Sequence, residues 1–314
     1  MYAYIVLAHT DIVMINRLVS RLATTGDVYV HVDLGSKIDT SEIIIGKNIH
    51  VVTKRVSVHW GGYSVVQATL NAIQCILDAP IEYSKVILVS GQDYPVKSDQ
   101  YIREFFKKKN YIRGYNISEP IAPSINRVVN HYFFNDAHFL VKKFFDLVSH
   151  SRYLRKDAHI NFEGEVWDIY EGSQWWALNE DVLVEMMSFL KSDRGRAYIH
   201  QMKHLHAPDE KFFATFFFNT KFWSSNLKNG PESFNFDVFK YYQGTAYETT
   251  APVSMTANFH KIHASLSKNY TIKDWSEICC AIQDSNVLFV RKVNTQYSEM
   301  LLDKIDVYKG RLDE

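Results

Sequence analysis

The 314-residue chain carries 35 Lys plus Arg against 35 Asp plus Glu. A formal net charge of zero excludes the global positive field that nucleic acid or an anionic membrane would exploit, so an anionic small ligand needs a local basic pocket. Its 46% hydrophobic residues suffice for a large core and exclude a disordered chain, and its 14% aromatics suit both core packing and carbohydrate-lining surfaces. The first apolar run, Tyr2 to His9, has no basic leader before it, and no later run is long enough to span a bilayer, so a soluble, unexported, cytoplasmic protein is expected. Cys75, Cys279 and Cys280 cannot build a multi-bridge framework and show no zinc-type spacing, which suits a reducing compartment.

In chain order, Tyr4 to Ala8 reads as a strand, Ile12 to Ala23 as an amphipathic helix, Asp27 to Val32 and Ile49 to Val52 as strands, Ser64 to Asp78 as a helix and Lys85 to Ser90 as a strand. This alternation predicts an α/β fold, a mostly parallel central sheet flanked by helices, with a nucleotide-binding half over 1–110. Ser98 is placed to cap a helix running to Lys107-Lys108-Lys109, a basic run that reads as a solvated helix end or a phosphate site. Residues 111–168 are less regular, with loops at Pro120 and Pro123 and a helix from Phe139 to Val148. Gly172 to Leu178 reads as a strand, Glu180 to Leu190 and Lys211 to Phe218 as helices, and Asn226 to Ala257 as a surface excursion. No repeat, low-complexity tract or linker divides the chain, so 1–314 is expected to be one domain.

Two segments end apolar runs in glycines and small polar residues, as strands do at the carboxyl edge of a parallel sheet: Val58-His59-Trp60-Gly61-Gly62-Tyr63-Ser64 and Leu88-Val89-Ser90-Gly91-Gln92-Asp93-Tyr94-Pro95. Trp60-Gly61-Gly62 offers an aromatic face beside closely approachable backbone, or a glycine turn under a packed indole, with Ser64 placed to cap the next helix. Asp33 suits ribose or uracil hydrogen bonds, or a turn; Asp93 on its own reads as an acid bonding turn backbone. Glu210, after Pro208-Asp209, is a candidate general base or an acid favoured by the helix macrodipole. Ala8-His9-Thr10-Asp11 after the first strand is not the Gly-x-Gly-x-x-Gly turn of a dinucleotide oxidoreductase, and Asp33-Leu34-Gly35 lacks the second acid of a metal-binding Asp-x-Asp motif.

With His31-Val32-Asp33 and Ala207-Pro208-Asp209-Glu210, these segments in this order resemble the core 2/I-branching N-acetylglucosaminyltransferases and the related peptide O-xylosyltransferases. The resemblance runs from Ile5 to about Val293 and implies a GT-A-type glycosyltransferase domain, with 111–314 as the acceptor-binding and catalytic half. It implies an inverting, metal-independent transfer, with no cofactor, from a UDP-sugar to a glycan or lipid-linked acceptor. The donor is UDP-N-acetylglucosamine, or else UDP-xylose or UDP-glucuronic acid. Glu210 takes the base role from the Pro-Asp-Glu motif; His9, Asp33, Trp60, Gly61, Ser64 and Asp93 fall on the donor side. Val287 to Val293 resembles the family's Phe-Ala-Arg-Lys-Phe segment, placing Lys292 on a diphosphate oxygen with Arg291 beside it. Lys268 stands where relatives have the Arg of His-Pro-Arg-Thr, with Leu266-Ser267 replacing His-Pro and Lys261-Ile262-His263 replacing Ile-Asp-Trp. Gln174 and Trp175, in a Gly-Ser-x-Trp-like segment, fall on the acceptor side, with Trp175 as a platform and Trp176 in the core. The central loop with Arg127, His131, Tyr132 and Asp136 departs from eukaryotic members and carries no assigned acceptor residue. A bacterial enzyme of surface-polysaccharide synthesis, with no membrane span but with peripheral association open to it, is the expected setting; a catalytically silent carbohydrate- or nucleotide-binding protein is the alternative.

Overall fold

The computed structural model describes residues 1–107, 109–118, 131–132, 136, 152–153, 158–234, 258–265 and 268–310. The helix expected over 139–148, Arg127, Lys108, Leu266, Ser267 and most of the excursion after Asn226 lie outside them. Among the described residues no helix is long and apolar enough to cross a membrane.

The first third follows the predicted alternation: β1 (Tyr2–Ala8), α1 (Ile12–Leu22), β2 (Gly26–Val32), β3 (Ile49–Val51), α2 (Tyr63–Leu77) and β4 (Lys85–Ser90). β5 (Asp93–Pro95) and α3 (Asp99–Phe105) come next, with Ser98 accepting the Tyr101 N–H as its cap. Strands β1 to β4 are parallel in the order β4-β1-β2-β3, so the chain crosses β1 between its third and fourth strands. That reversal leaves a crevice at the carboxyl ends of β1, β2 and β4, the usual ligand position in such sheets.

Period-two alternation splits the sheet's side chains between two cores. Ala3, Ile5, Val86 and Leu88 join α2 through Val66, Leu70 and Ile73 on one face. Tyr4, Val6, Ile87 and Val89 join α1 through Met14, Leu18 and Leu22 on the other. Strands buried on both faces read as continuous apolar runs, which is why they were legible.

The middle of the chain is built from short antiparallel pairs. β6 (Tyr115–Asn116) pairs with β11 (Tyr170–Glu171), β7 (His131–Tyr132) with β8 (Arg152–Tyr153), and β9 (His159–Phe162) with β10 (Glu165–Asp168). The strand expected over Gly172 to Leu178 shortens to β12 (Ala177–Leu178), antiparallel at the edge of β4. Its first residues turn instead, because the Ser173 hydroxyl accepts the Trp175 N–H at 3.2 Å and Gly172 lies directly against the Arg113 carbonyl. Then come α4 (Glu180–Lys191), α5 (Asp193–Met202) and α6 (Phe212–Phe218).

A second sheet closes the crevice: β13 (His260–Ile262) runs parallel to β14 (Phe289–Arg291), and β14 antiparallel to β5. Helices α7 (Trp275–Gln283) and α8 (Thr295–Gly310) flank it. The Asp11 carboxylate accepts both the Thr295 N–H at 2.7 Å and its hydroxyl at 2.8 Å, tying the start of α8 to the start of α1. The expected helix over the lysine run ends earlier, at Phe105; Lys107 pairs with Glu104 and Lys109 with Asn229 at the surface, so these two lysines are surface pairs away from the crevice.

Candidate functional site

The crevice holds a cavity of about 320 Å³, within the range of small-molecule sites. It gathers His9, Asp33, Trp60, Gly61, Gln174, Trp175, Glu210, Arg291 and Lys292 from the sequence reading. Ser64, Asp93 and Lys268 are not in its wall.

One wall of the cavity grows out of the sheet edge. Asp33 follows β2; its N–H donates to the Ala8 carbonyl at 2.8 Å, and its Oδ1 accepts the N–H groups of Gly35 at 2.8 Å and Val58 at 2.9 Å. Asp33 therefore also braces the Val58–Gly62 turn. His31, two residues earlier on the same strand face, lines the cavity as well. Its Nε2 accepts the Val56 N–H at 3.2 Å, and burial pushes its imidazole down to about 4, so it is a neutral acceptor at physiological pH. Burial also lowers His9 below the ordinary histidine value; Asp33 opposes this, and Arg291 and Lys292 add to it.

Trp60 is 86% exposed, so the packed-indole reading fails and the ring stands at the cavity mouth. Gly61 has a φ of 71°, a conformation that favours glycine, and the Gly62 N–H donates to the His59 carbonyl at 2.9 Å to close the turn. Ser64 does not cap α2 as expected. The cap position falls on Gly62, and the Ser64 hydroxyl accepts the His59 N–H at 2.9 Å, bracing the turn. The N-terminus of α2 is served by Asp136, whose carboxylate accepts the Ser64 N–H at 2.9 Å, a favourable place for an acid.

The cationic wall comes from β14 and the residue after it. Arg291 donates from Nη1 to Asp93 Oδ1 at 2.8 Å, and its guanidinium lies 4.5 Å from the centre of the Trp175 ring. Trp175 is 6% exposed beneath it, so it supports Arg291 instead of offering the open platform expected of it. Trp176 is fully buried against Phe213, as expected. Asp93 is a fully buried acid behind the cavity. Burial opposes its ionisation, but Arg291 and His260 outweigh burial and hold its carboxyl below the usual range. Burial, and then Arg291, lower the Lys292 ammonium from its ordinary value, with Asp93 opposing. Lys268 is half-exposed and bonded to Asp274 at 3.1 Å, away from the cavity; the short loop to the Thr271 turn carries it outward.

The carboxylate wall is a 3₁₀ turn, Pro208–Glu210, between α5 and α6. Ala207 enters it at a φ of 43°, and the Glu210 N–H donates back to the Ala207 carbonyl at 3.1 Å. The Glu210 carbonyl in turn accepts the Gly172 N–H at 2.9 Å. Beneath, Lys211 is fully buried and donates to Glu171 Oε1 at 2.5 Å and to the His206 carbonyl at 2.7 Å. Desolvation raises Glu210 well above the ordinary carboxylate range; the adjacent Asp209 and then Glu171 push the same way, and Lys211 opposes. Asp209 is raised too, chiefly by desolvation, and its Oδ1 is buried with no hydrogen-bond partner among the described residues. Glu210 can thus take a proton from a ligand hydroxyl, while Arg291 and Lys292 can compensate negative charge in the same cavity.

Sequence reasoning missed His31, Gln92 and Asp209 as cavity residues. His31 could have been found from its two-residue spacing to Asp33, and Asp209 from its place beside Glu210. Gln92 carried no signal apart from its glycine-containing segment.

A family model for the core-2/I-branching enzyme matches residues 2–261. Similar curated proteins include beta-1,3-galactosyl-O-glycosyl-glycoprotein beta-1,6-N-acetylglucosaminyltransferase 3 of Mus musculus, 25% identical over 222 residues, which are 68% of this chain and 46% of that protein. The probable beta-1,3-galactosyl-O-glycosyl-glycoprotein beta-1,6-N-acetylglucosaminyltransferase 7 of Sus scrofa is 25% identical over 242 residues, 74% of this chain and 51% of that protein. The N-acetyllactosaminide beta-1,6-N-acetylglucosaminyl-transferase of Homo sapiens is 25% identical over 223 residues, 68% and 51% respectively. The chain spans about half the length of the curated relatives it matches. Since the family model covers the central sheet, the Val58–Gly62 turn and the Pro208–Glu210 turn alike, the chain belongs to the core-2/I-branching enzyme family.

Proposed function

We propose that the chain is an inverting glycosyltransferase moving N-acetylglucosamine from UDP-N-acetylglucosamine to a hydroxyl of a glycan acceptor, without a metal ion. The observation that carries this reading is that a half-buried carboxylate of raised pKa, Glu210, meets the cations Arg291 and Lys292 in one cavity. Glu210 takes the proton of the acceptor hydroxyl. The hydroxyl oxygen forms its bond to the anomeric carbon from the face opposite the diphosphate, and the bond to the diphosphate oxygen breaks with its electron pair leaving on UDP. Arg291 and Lys292 neutralise that charge, a role that basic side chains can fill as a metal does elsewhere. His9 and Asp33, at the ends of β1 and β2, then face the nucleoside, and Trp60 at the mouth stays on the donor side with them. Bacterial surface-polysaccharide synthesis is the setting proposed with it.

UDP release from UDP-N-acetylglucosamine, measured with and without a panel of galactoside acceptors, tests the reading. Turnover that disappears in Glu210→Gln is expected. UDP binding with no turnover on UDP-N-acetylglucosamine, UDP-xylose or UDP-glucuronic acid would establish the silent binding protein instead.

A further inference from the structure

Behind the cavity, each strand of the second sheet places one ionisable residue at a common point. The antiparallel register sets Arg291 of β14 opposite Asp93 of β5, and β13 contributes His260. Asp93 is completely buried, and the His260 side chain is as well. The Asp93 carboxylate accepts Arg291 Nη1 at 2.8 Å through Oδ1 and the Ser90 N–H at 2.7 Å through Oδ2, and His260 Nε2 approaches Oδ2 at 3.3 Å. The imidazole is stacked on Phe259 at 4.6 Å and lies 5.9 Å from the Trp175 ring, whose indole also carries the Arg291 guanidinium.

Burying an acid this deeply costs far more than a turn needs, since a backbone carbonyl or a serine could bond the same N–H groups without a charge to desolvate. What the charge supplies is a fixed direction for Arg291. A guanidinium bonded to a buried carboxylate and lying on an aromatic ring has few rotamers left to lose when a ligand arrives, so its attraction is not spent on ordering it. Among the described residues the bond to Asp93 is the one side-chain hydrogen bond that Arg291 makes, which leaves its other N–H groups for the cavity.

We propose that Asp93 and His260 are positioning residues that hold the Arg291 guanidinium on Trp175 in the geometry needed to bind a nucleoside diphosphate. The inference rests on the UDP-sugar reading above. Neither residue touches the ligand; both act through Arg291.

The test compares the affinities of UDP and uridine for the wild-type chain, Asp93→Asn, Arg291→Ala, the Asp93→Asn/Arg291→Ala double variant, His260→Phe and His260→Gln, with melting temperature followed throughout. Asp93→Asn is expected to weaken UDP on the order of tenfold or more, the value of a charge-assisted bond, with uridine unchanged. In the Arg291→Ala background the same substitution should cost nothing further. His260→Phe keeps the stack but removes the ring nitrogen that approaches Asp93 and should weaken UDP alone, and His260→Gln, which keeps a polar N–H group there, should restore part of the loss. Should Asp93→Asn fail to fold, the His260 pair answers the same question with the carboxylate in place. Equal losses of UDP and uridine, additive effects in the double variant, or unchanged UDP affinity in both Asp93→Asn and His260→Phe would overturn the positioning role. A wild-type chain that binds UDP no better than uridine would remove the diphosphate reading itself, and the inference with it.

Discussion

Glu210 and Asp33 are both acids at the end of an apolar element, yet their surroundings give them different chemistry. Asp33 spends one oxygen on two backbone N–H groups and acts as a brace as much as a ligand. Glu210 is desolvated beside Asp209 and Glu171, and this raised basicity is what a proton acceptor needs. Glu210→Gln keeps the size of the side chain and removes the base. UDP affinity is expected to stay near the wild-type value while turnover falls roughly a hundredfold to ten-thousandfold. Near-normal turnover per folded molecule would leave Glu210 a structural acid. The pH profile follows with a definite sign. The active form carries ionised Glu210, whose proton is held more tightly than by an ordinary glutamate, so kcat/KM should rise with pH along a limb displaced upward from the ordinary position near about 4.3. A limb at the ordinary position, or none, would separate activity from this carboxyl. Lys292→Ala should remove on the order of 2 to 4 kcal/mol of transition-state stabilisation, read as a loss in kcat at saturating donor.

The elements that place these residues were legible to different degrees. β1, β2 and β4 are buried on both faces, and their apolar runs stop where the chain reaches the crevice, so the strand ends before His9 and Asp33 could be located from pattern, while the role of His9 came from the resemblance. The Pro208–Glu210 turn is different, because its conformation depends on partners distant in sequence. Gly172 donates to the Glu210 carbonyl, and a Cβ on Gly172 would stand 2.3 Å from the Arg113 carbonyl oxygen. No local propensity announces that contact; the same Gly172–Leu178 segment reads as a strand, and only Ala177–Leu178 pairs as one. Ser64 illustrates the reverse error, since a serine near a helix start suggests a cap, but the turn before it shifts the cap to Gly62 and uses the hydroxyl on His59. Gly172→Ala must move backbone at Arg113 or at the turn. It is expected to destabilise the fold by about 1 to 3 kcal/mol and to lower turnover at temperatures where the protein is still folded. Unchanged melting and turnover would show that the Gly172 contact does not hold Glu210 in place.

At the scale of the whole molecule, two cores sandwich one mostly parallel sheet and a second small sheet closes its carboxyl edge. The central sheet could be read from alternating elements, whereas the pairing of β5 with β14, some 200 residues apart in sequence, has no local signal and was not foreseen. Lys268, argued from resemblance but on a segment that departs from the motif, lies outside the cavity. A chain of zero net charge supplies no general field for an anion, so under the proposed UDP-sugar reading the local cations have to supply it. Arg291 and Lys292 enter the same cavity as the candidate base, and two such groups match the charge that a divalent ion would otherwise offset. If they suffice, turnover should be unchanged in excess EDTA and unaffected by added manganese or magnesium, while Lys292→Ala should remain impaired when metal is supplied. Loss of activity on chelation, with recovery on adding manganese, would mean that the departing diphosphate is neutralised by an ion and that Arg291 and Lys292 bind substrate in its ground state only.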